Sequence, residues 1–318
     1  MLLFALKHTR EFGQRVAAAL GVELAACEER EFEDGEHKAR PLVEVRGRDC
    51  FVIQSLHGGP DASGNDKLAR LLFFAAALRD HGAARVTAVV PYLAYARKDR
   101  VTKPHDPVIT RYVAQLFEAV GIGGVITLEV HNVAAFQNAF RIPTLHLESA
   151  EVFAPRAGEL VGADPVVVAS PDPGGVKRAQ LFREALEARI GRPVGAAYLE
   201  KRRSAGVVSG DLLAGEVQGA TVLLFDDLIS TGGTMLRAAQ TCLAAGATQV
   251  YALAAHGLFN AGAAEVIENP AFAATLVTDT VPPLRLSAAA RARVEIVAAA
   301  PLFAEAIRRV HGRPVGAA

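Results

Sequence analysis

The run Thr221–Thr234, TVLLFDDLISTGGT, constrains the fold of this chain more than any other segment. Val222–Phe225 is apolar on consecutive positions, the mark of a strand covered on both faces in a parallel sheet. Asp226 and Asp227 close that strand, and open α/β sheets bind their ligands at the carboxyl ends of strands. Ser230, Thr231, Gly232, Gly233 and Thr234 then lead into a helix carrying Leu236, Ala239 and Leu243. Glycines let the backbone turn tightly enough for several N–H groups and a helix N-terminus to converge on an anion. The hydroxyls add uncharged donors, and the carboxylates suit ribose hydroxyls, directly or through Mg2+. No GxxxxGK[ST] run is present, so this is not a P-loop.

The same rhythm recurs along the chain. Short apolar runs predict strands at Cys50–Gln54, Arg85–Val90, Val125–Val130, Val166–Ser170, Ala197–Glu200, Val222–Asp226 and Val250–Ala254. Between them, helical spacing covers Asp66–Asp80, Thr110–Val120, Val176–Arg189 and Gly233–Ala245. Gly82, Gly121 and Gly246 stand where helices end in a left-handed residue. Strand and helix in alternation predict a doubly wound α/β fold with parallel sheets. At 318 residues the chain has room for two such domains. The expected division is residues 1–149 and 150–300, with Glu151–Asp164 as the connecting stretch. A terminal helix within 301–318 is expected to join the first domain.

Composition narrows the partners. Lys plus Arg and Asp plus Glu both number 34, so the chain lacks the basic excess of a nucleic-acid binder. No apolar run approaches the roughly 18 to 20 residues of a membrane span. The start MLLFALKHTR has too short an apolar stretch for a signal peptide. Cys27, Cys50 and Cys242 form no metal-spaced or disulfide pattern, which suits a reducing, cytoplasmic setting.

Several further segments, in their order, make the chain resemble the ribose-phosphate pyrophosphokinases. They are FEDGE (Phe32–Glu36), VRGRD (Val45–Asp49), PYLAYARKDR (Pro91–Arg100), SPDPGG (Ser170–Gly175) and KRR (Lys201–Arg203), together with FDDLISTGGT. The resemblance runs nearly end to end. It implies domains of phosphoribosyltransferase type and transfer of the β,γ-pyrophosphoryl group of ATP to ribose 5-phosphate. It also implies a homo-oligomer whose ATP sites are shared between subunits.

By the same resemblance, Phe32, Asp34 and Glu36 take adenine, and Arg97 and Lys98 take the ATP phosphates. Lys201 and Arg203 belong to a mobile lid over the reacting groups, Arg203 also contacting the sugar phosphate. Asp226, Asp227, Ser230, Thr231, Gly232, Gly233 and Thr234 hold ribose 5-phosphate. His131 and Asp172 are the Mg2+ positions, the imidazole acting as well through water as directly. Electrostatically this suits a transfer in which charge accumulates on phosphate oxygens.

Departures from the family pattern are informative. Ser230 replaces the aspartate of the common bacterial loop, as in some archaeal-type members. Lys98 replaces a glutamine, which predicts looser donor choice. Glu129 replaces an aspartate ahead of His131. Ala298, Ala299, Ala300 and Pro301 stand where phosphate-regulated members place serines, which predicts independence of inorganic phosphate and weak inhibition by ADP. Two other readings compete. A phosphoribosyltransferase would lack FEDGE and ARKDR, and a silent regulatory homologue would lack the lid cations or loop carboxylates.

Overall fold

The computed structural model describes residues 1–204 and 207–312, with the side chains of residues 201–211 outside that description. The chain divides into two compact units, Met1–Leu147 together with the segment from Ala299 onward, and Glu148–Ala298. Among the described residues no helix is long and apolar enough to cross a membrane.

In the first unit the elements are β1 (Leu2–Ala5), α1 (Arg10–Leu20), β2 (Cys27–Glu31), β3 (His37–Pro41), β4 (Asp49–Ile53) and α2 (Gly64–Asp80). They continue as β5 (Arg85–Val90), α3 (Ile109–Ala119), β6 (Gly124–Leu128), α4 (Val133–Ala139) and β7 (Thr144–Leu147). Five strands pair in parallel in the order β1-β4-β5-β6-β7, while β2 and β3 form an antiparallel ribbon of their own. Alternate strand residues face opposite ways. Phe4, Val52 and Ala88 therefore join Phe74, Leu78 and Phe117 in one apolar layer. On the other face Phe12 of α1 meets Phe303 edge-on at 5.4 Å, so the last helix, Ala300–His311, closes that side. Its end is tied down where Arg85 donates to Val310 O at 3.0 Å and His311 Nδ1 lies 2.7 Å from Asp49 Oδ2. Helix α2 begins on a capping box. Ser63 Oγ accepts from Asp66 N at 3.1 Å and Asp66 Oδ2 accepts from Ser63 N at 2.7 Å.

The second unit runs α5 (Ala150–Val161), β8 (Val166–Ser170), α6 (Val176–Ile190), β9 (Gly195–Ser204), β10 (Val207–Ala214), β11 (Thr221–Ile229) and α7 (Gly233–Ala244). It ends with β12 (Gln249–Gly257), α8 (Ala263–Ile267), β13 (Thr275–Thr278), α9 (Ala288–Ala292) and β14 (Val294–Val297), before the last helix of the chain, α10 (Ala300–His311). Its sheet has the order β10-β9-β8-β11-β12-β13-β14, parallel except for β10. The order reverses between β8 and β11, the switch point of a doubly wound sheet.

Two expectations need correction. Glu151–Asp164 is not a connector for most of its length: α5 occupies it, because Phe153, Ala154, Ala157 and Val161 form one apolar stripe that packs into the second unit. The strand expected to end at Glu200 continues through Lys201–Ser204 and returns as β10, with Lys201 opposite Asp211. The ladder between β9 and β10 thus carries the backbone of KRR as strand.

Phe225 anchors this unit beneath its carboxylates, stacked on Phe182 with centroids 4.4 Å apart and edge-on to Phe153 at 5.9 Å. It is fully buried. Phe225→Ala is expected to lower unfolding stability by about 3–5 kcal/mol, with Phe225→Leu costing less, as measured by denaturant titration.

Candidate active site

The carboxyl end of β11 gathers charge. Phe225 is the last apolar residue of an uninterrupted buried run, and Asp226 and Asp227 follow it within the strand. Arg178 of α6 is the cation that holds them, its Nη1 lying 3.1 Å from Asp226 Oδ1 and 3.8 Å from Asp227 Oδ1. Asp226 Oδ1 also accepts from Asp227 N at 2.8 Å. Burial, and then the adjacent Asp227 carboxylate, push the Asp226 carboxyl well above the usual carboxylate range, against the pull of Arg178. The Arg178 guanidinium lies within reach of both carboxylates.

Beyond β11 the small-residue loop takes a form that requires glycine at position 232. Gly232 has φ 80°, and a Cβ there would stand 2.7 Å from Val266 Cγ1. Gly232 is the N-cap of α7 and makes no side-chain cap, so the first N–H groups of that helix face the loop. Asn260 donates to Ser230 twice, backbone N to O and Nδ2 to Oγ, both at 2.9 Å. Ser230–Thr234 thus links the end of β11, with Asp226 and Asp227, to the start of α7.

The turn SPDPGG abuts the same place. Asp172 Oδ1 accepts from Gly174 N at 2.9 Å and from Gly175 N at 3.2 Å. A Cβ on Gly175 would stand 2.6 Å from Ser170 Oγ and 3.7 Å from Asp226 Oδ1, so glycine lets the turn close onto the carboxylate. The backbone bonds of Asp172 use Oδ1, and Oδ2 is a hard donor suited to Mg2+. Among the described residues no group of three His, Cys, Asp or Glu side chains is arranged to hold a metal. Mg2+ keeps several waters and takes substrate phosphates, so a sparse carboxylate set fits it.

In the first unit, the ARKDR turn and the end of β6 meet. Asn132 Nδ2 donates to Asp99 Oδ2 at 2.7 Å, while Asn132 Oδ1 caps α4 at Ala135 N, 3.1 Å. His131, predicted as a metal position, is exposed beside this link. The strand stops at Leu128, two residues before the end expected, because Glu129 takes φ 42° and turns the chain out of the sheet. Arg97 is exposed. Lys98 Nζ instead donates to Asp106 Oδ2 at 2.6 Å, and Asp106 accepts further bonds from Thr102 and Lys103. Those bonds, Lys98 first, hold the Asp106 carboxyl below the usual range. Sequence reasoning missed Asp106, which lies eight residues beyond Lys98 in a turn with no periodicity.

FEDGE forms the tip of the β2–β3 ribbon. Phe32 N donates to Glu36 O at 2.8 Å, and Asp34 Oδ1 accepts from Glu36 N at 3.1 Å. Phe32 is 42% exposed, with the Arg30 guanidinium over its ring at 5.1 Å. Lys201 and Arg203 have side chains outside the described residues. Arg178 and Asn260 were missed as well. Arg178 sits in a helix that reads as ordinary, and Asn260 carries no motif.

Comparison with known proteins bears on the family of the chain. Residues 1–121 match the family described as the N-terminal domain of ribose phosphate pyrophosphokinase, and residues 208–315 match the phosphoribosyl synthetase-associated domain. The ribose-phosphate pyrophosphokinase of Caldanaerobacter subterraneus subsp. tengcongensis is 37% identical over 310 residues, covering 97% of this chain and 94% of its own. That of Wolinella succinogenes is 37% identical over 302 residues, covering 95% and 93%. The crystal structure of phosphoribosylpyrophosphate synthetase from Mycobacterium smegmatis superposes with a TM-score of 0.86 at 31% identity, covering 98% of each chain. With matches that run nearly the full length of the chain, this protein belongs to the ribose-phosphate pyrophosphokinase family.

Proposed function

We propose that the protein transfers the β,γ-pyrophosphoryl group of ATP to the C1 hydroxyl of ribose 5-phosphate, giving phosphoribosyl pyrophosphate and AMP. The observation that carries this reading is the near full-length match to ribose-phosphate pyrophosphokinases. The C1 oxygen attacks the β-phosphorus and loses its proton, the bond from that phosphorus to the α-phosphate oxygen breaks, and AMP departs. Little covalent work falls to the protein, so positioning and charge compensation dominate.

In the second unit, the N–H groups and hydroxyls of Ser230–Thr234 take the 5-phosphate, and Asp226 and Asp227 accept from the ribose hydroxyls. In the first unit, Arg97 binds the ATP phosphates, and Lys98 does so in exchange for Asp106. The exposed Phe32 ring stacks on adenine while Asp34 and Glu36 accept from its amino group, serving a neighbouring subunit of a homo-oligomer. Lys201 and Arg203 supply cations to the transferring group. Asp172 in the second unit, and separately His131 in the first through water, are the positions that would take Mg2+. When bound, that ion offsets phosphate charge. Free thiols at Cys27, Cys50 and Cys242 suit a cytoplasmic setting, and burial pushes the Cys50 and Cys242 thiols up to about 11. Ala299 and Ala300 are buried at the start of α10, where methyl groups offer an anion no donor.

Incubation with ribose 5-phosphate, ATP and Mg2+ is expected to release AMP, and ADP in its place would defeat the reading. Lys201→Ala should lower turnover at least about 100-fold while leaving ribose 5-phosphate binding intact by calorimetry. For Asp226 the sign of the pH effect follows from its raised folded-state value. Its contribution is most favourable below the ordinary carboxylate range and is lost as pH rises towards the folded value. Asp226→Asn should flatten that decline in denaturation measured across pH. It should also lower kcat/KM for ribose 5-phosphate by roughly 10- to 100-fold through the lost charged acceptor. Initial rates across a titration of inorganic phosphate are expected to stay level, and a steep activation curve would show that the alanines at α10 leave phosphate control in place.

A further inference from the structure

The Ser230 hydroxyl in the loop after β11 is held by Asn260, a residue outside every motif. Strand β12 ends at Gly257, where a Cβ would stand 2.4 Å from Phe259 Cε2, so only glycine lets the chain fold back over its own aromatic ring. Phe259 is buried and adopts φ 44°, a left-handed backbone in a bulky residue. Leu258 N and Phe259 N both donate to Ile229 O, at 3.0 and 3.2 Å. This turn delivers Asn260 onto Ser230, where its backbone N meets Ser230 O and its Nδ2 meets Ser230 Oγ, each at 2.9 Å.

The direction of the second bond decides the chemistry. A hydroxyl has one proton and two lone pairs. With Asn260 Nδ2 donating, Ser230 Oγ is an acceptor on that side, and its own proton has no acceptor among the described residues. The opposite amide orientation would draw the hydroxyl proton onto Asn260 Oδ1 and turn a lone pair towards the anion. A phosphate in the cradle selects the first arrangement, since an anion needs donors.

We propose that Asn260 is a positioning residue for the sugar phosphate: it fixes the Ser230 hydroxyl as a donor to the cradle, so that the Ser230–Asn260 pair forms a polarised relay, Nδ2–H to Oγ and Oγ–H to phosphate. This rests on the ribose 5-phosphate reading of the loop and deepens it. The relay concerns the sugar phosphate alone and leaves ATP binding and the transfer step untouched.

The test is a double-mutant cycle on the full-length protein with Ser230→Ala, Asn260→Ala and the pair, adding Asn260→Asp. KM for ribose 5-phosphate and kcat are read separately, and ribose 5-phosphate affinity is read by calorimetry. Each alanine variant is expected to weaken ribose 5-phosphate about tenfold, with kcat and KM for ATP within about twofold of the parent. The double variant should be no weaker than the weaker single one, because both remove the same donor. Asn260→Asp should bind more weakly than Asn260→Ala, since its carboxylate takes the serine proton. Additive losses in the double variant, an unchanged ribose 5-phosphate affinity in Asn260→Ala, or a fall confined to kcat would overturn the relay. Calorimetry keeps this outcome distinct from failure of the proposed reaction: a parent protein that binds ribose 5-phosphate without releasing AMP defeats the reaction while the cycle still judges Asn260. A parent that binds no ribose 5-phosphate overturns both.

Discussion

Strand β11 has to be fully apolar and then, one residue later, carry two carboxylates, and the second unit is organised around that junction. Its first five residues are buried between β8 and β12, with Val222 facing Val167 on one side and Val250 on the other. Helices on both faces exclude water from that run, so the backbone polar groups are satisfied by the ladders alone. The switch point relieves the constraint at one end only. There the neighbouring crossovers diverge, leaving space for Arg178 and for the turns after β8 and β12. The guanidinium offsets part of the cost of placing two carboxyl groups at the end of a buried strand, while burial and their mutual repulsion still raise the Asp226 carboxyl.

Both units run through the same series of elements. In each, a strand and helix lead to an antiparallel pair of strands, and the next strand returns beside the first: β4 beside β1, β11 beside β8. The difference lies in the antiparallel pair. Gly195–Leu199 begins β9 with GAAYL, apolar enough to pair with β8 and extend the main sheet. The corresponding ribbon begins with CEERE in β2, too charged to enter a sheet covered by helices, and forms a separate two-stranded sheet. Composition at one strand thus decides whether the pair widens the sheet or stands apart as a carrier for FEDGE.

The same logic explains what was legible beforehand. Arg85–Val90 and Val166–Ser170 match their predicted bounds because β-branched runs buried on both faces have no competing interpretation. Gly82, Gly121 and Gly246 all take the positive φ expected of them. By contrast, β2 and β3 carry charges without an apolar face, and the basic end of β9 reads by itself as a surface run. Both are strands only through their partners. The cradle was legible because its chemistry is local, all within Asp226–Thr234. Arg178 and Asn260 act across 48 and 30 residues of sequence, and no spacing rule reaches that far. Asp106 hides the ammonium of Lys98 for a similar reason, since the turn that presents it to Lys98 has no regular pattern.

Backbone strain reports the same sites independently of any motif. Among the described residues, the non-glycine positions with positive φ are Tyr95, His105, Glu129 and Phe259. Each follows the carboxyl end of a parallel strand: Tyr95 and His105 after β5, Glu129 after β6, Phe259 after β12. A bulky residue in that region costs about 1–3 kcal/mol, so four together need compensation from the packed sheets behind them. The helical ends are relaxed, with glycine supplying positive φ at little cost. Strain is therefore confined to the edges where ligands bind in this class of sheet. For Phe259 its effect can be traced atom by atom: the strained turn brings Asn260 to Ser230, where its backbone N meets Ser230 O and its Nδ2 meets Ser230 Oγ.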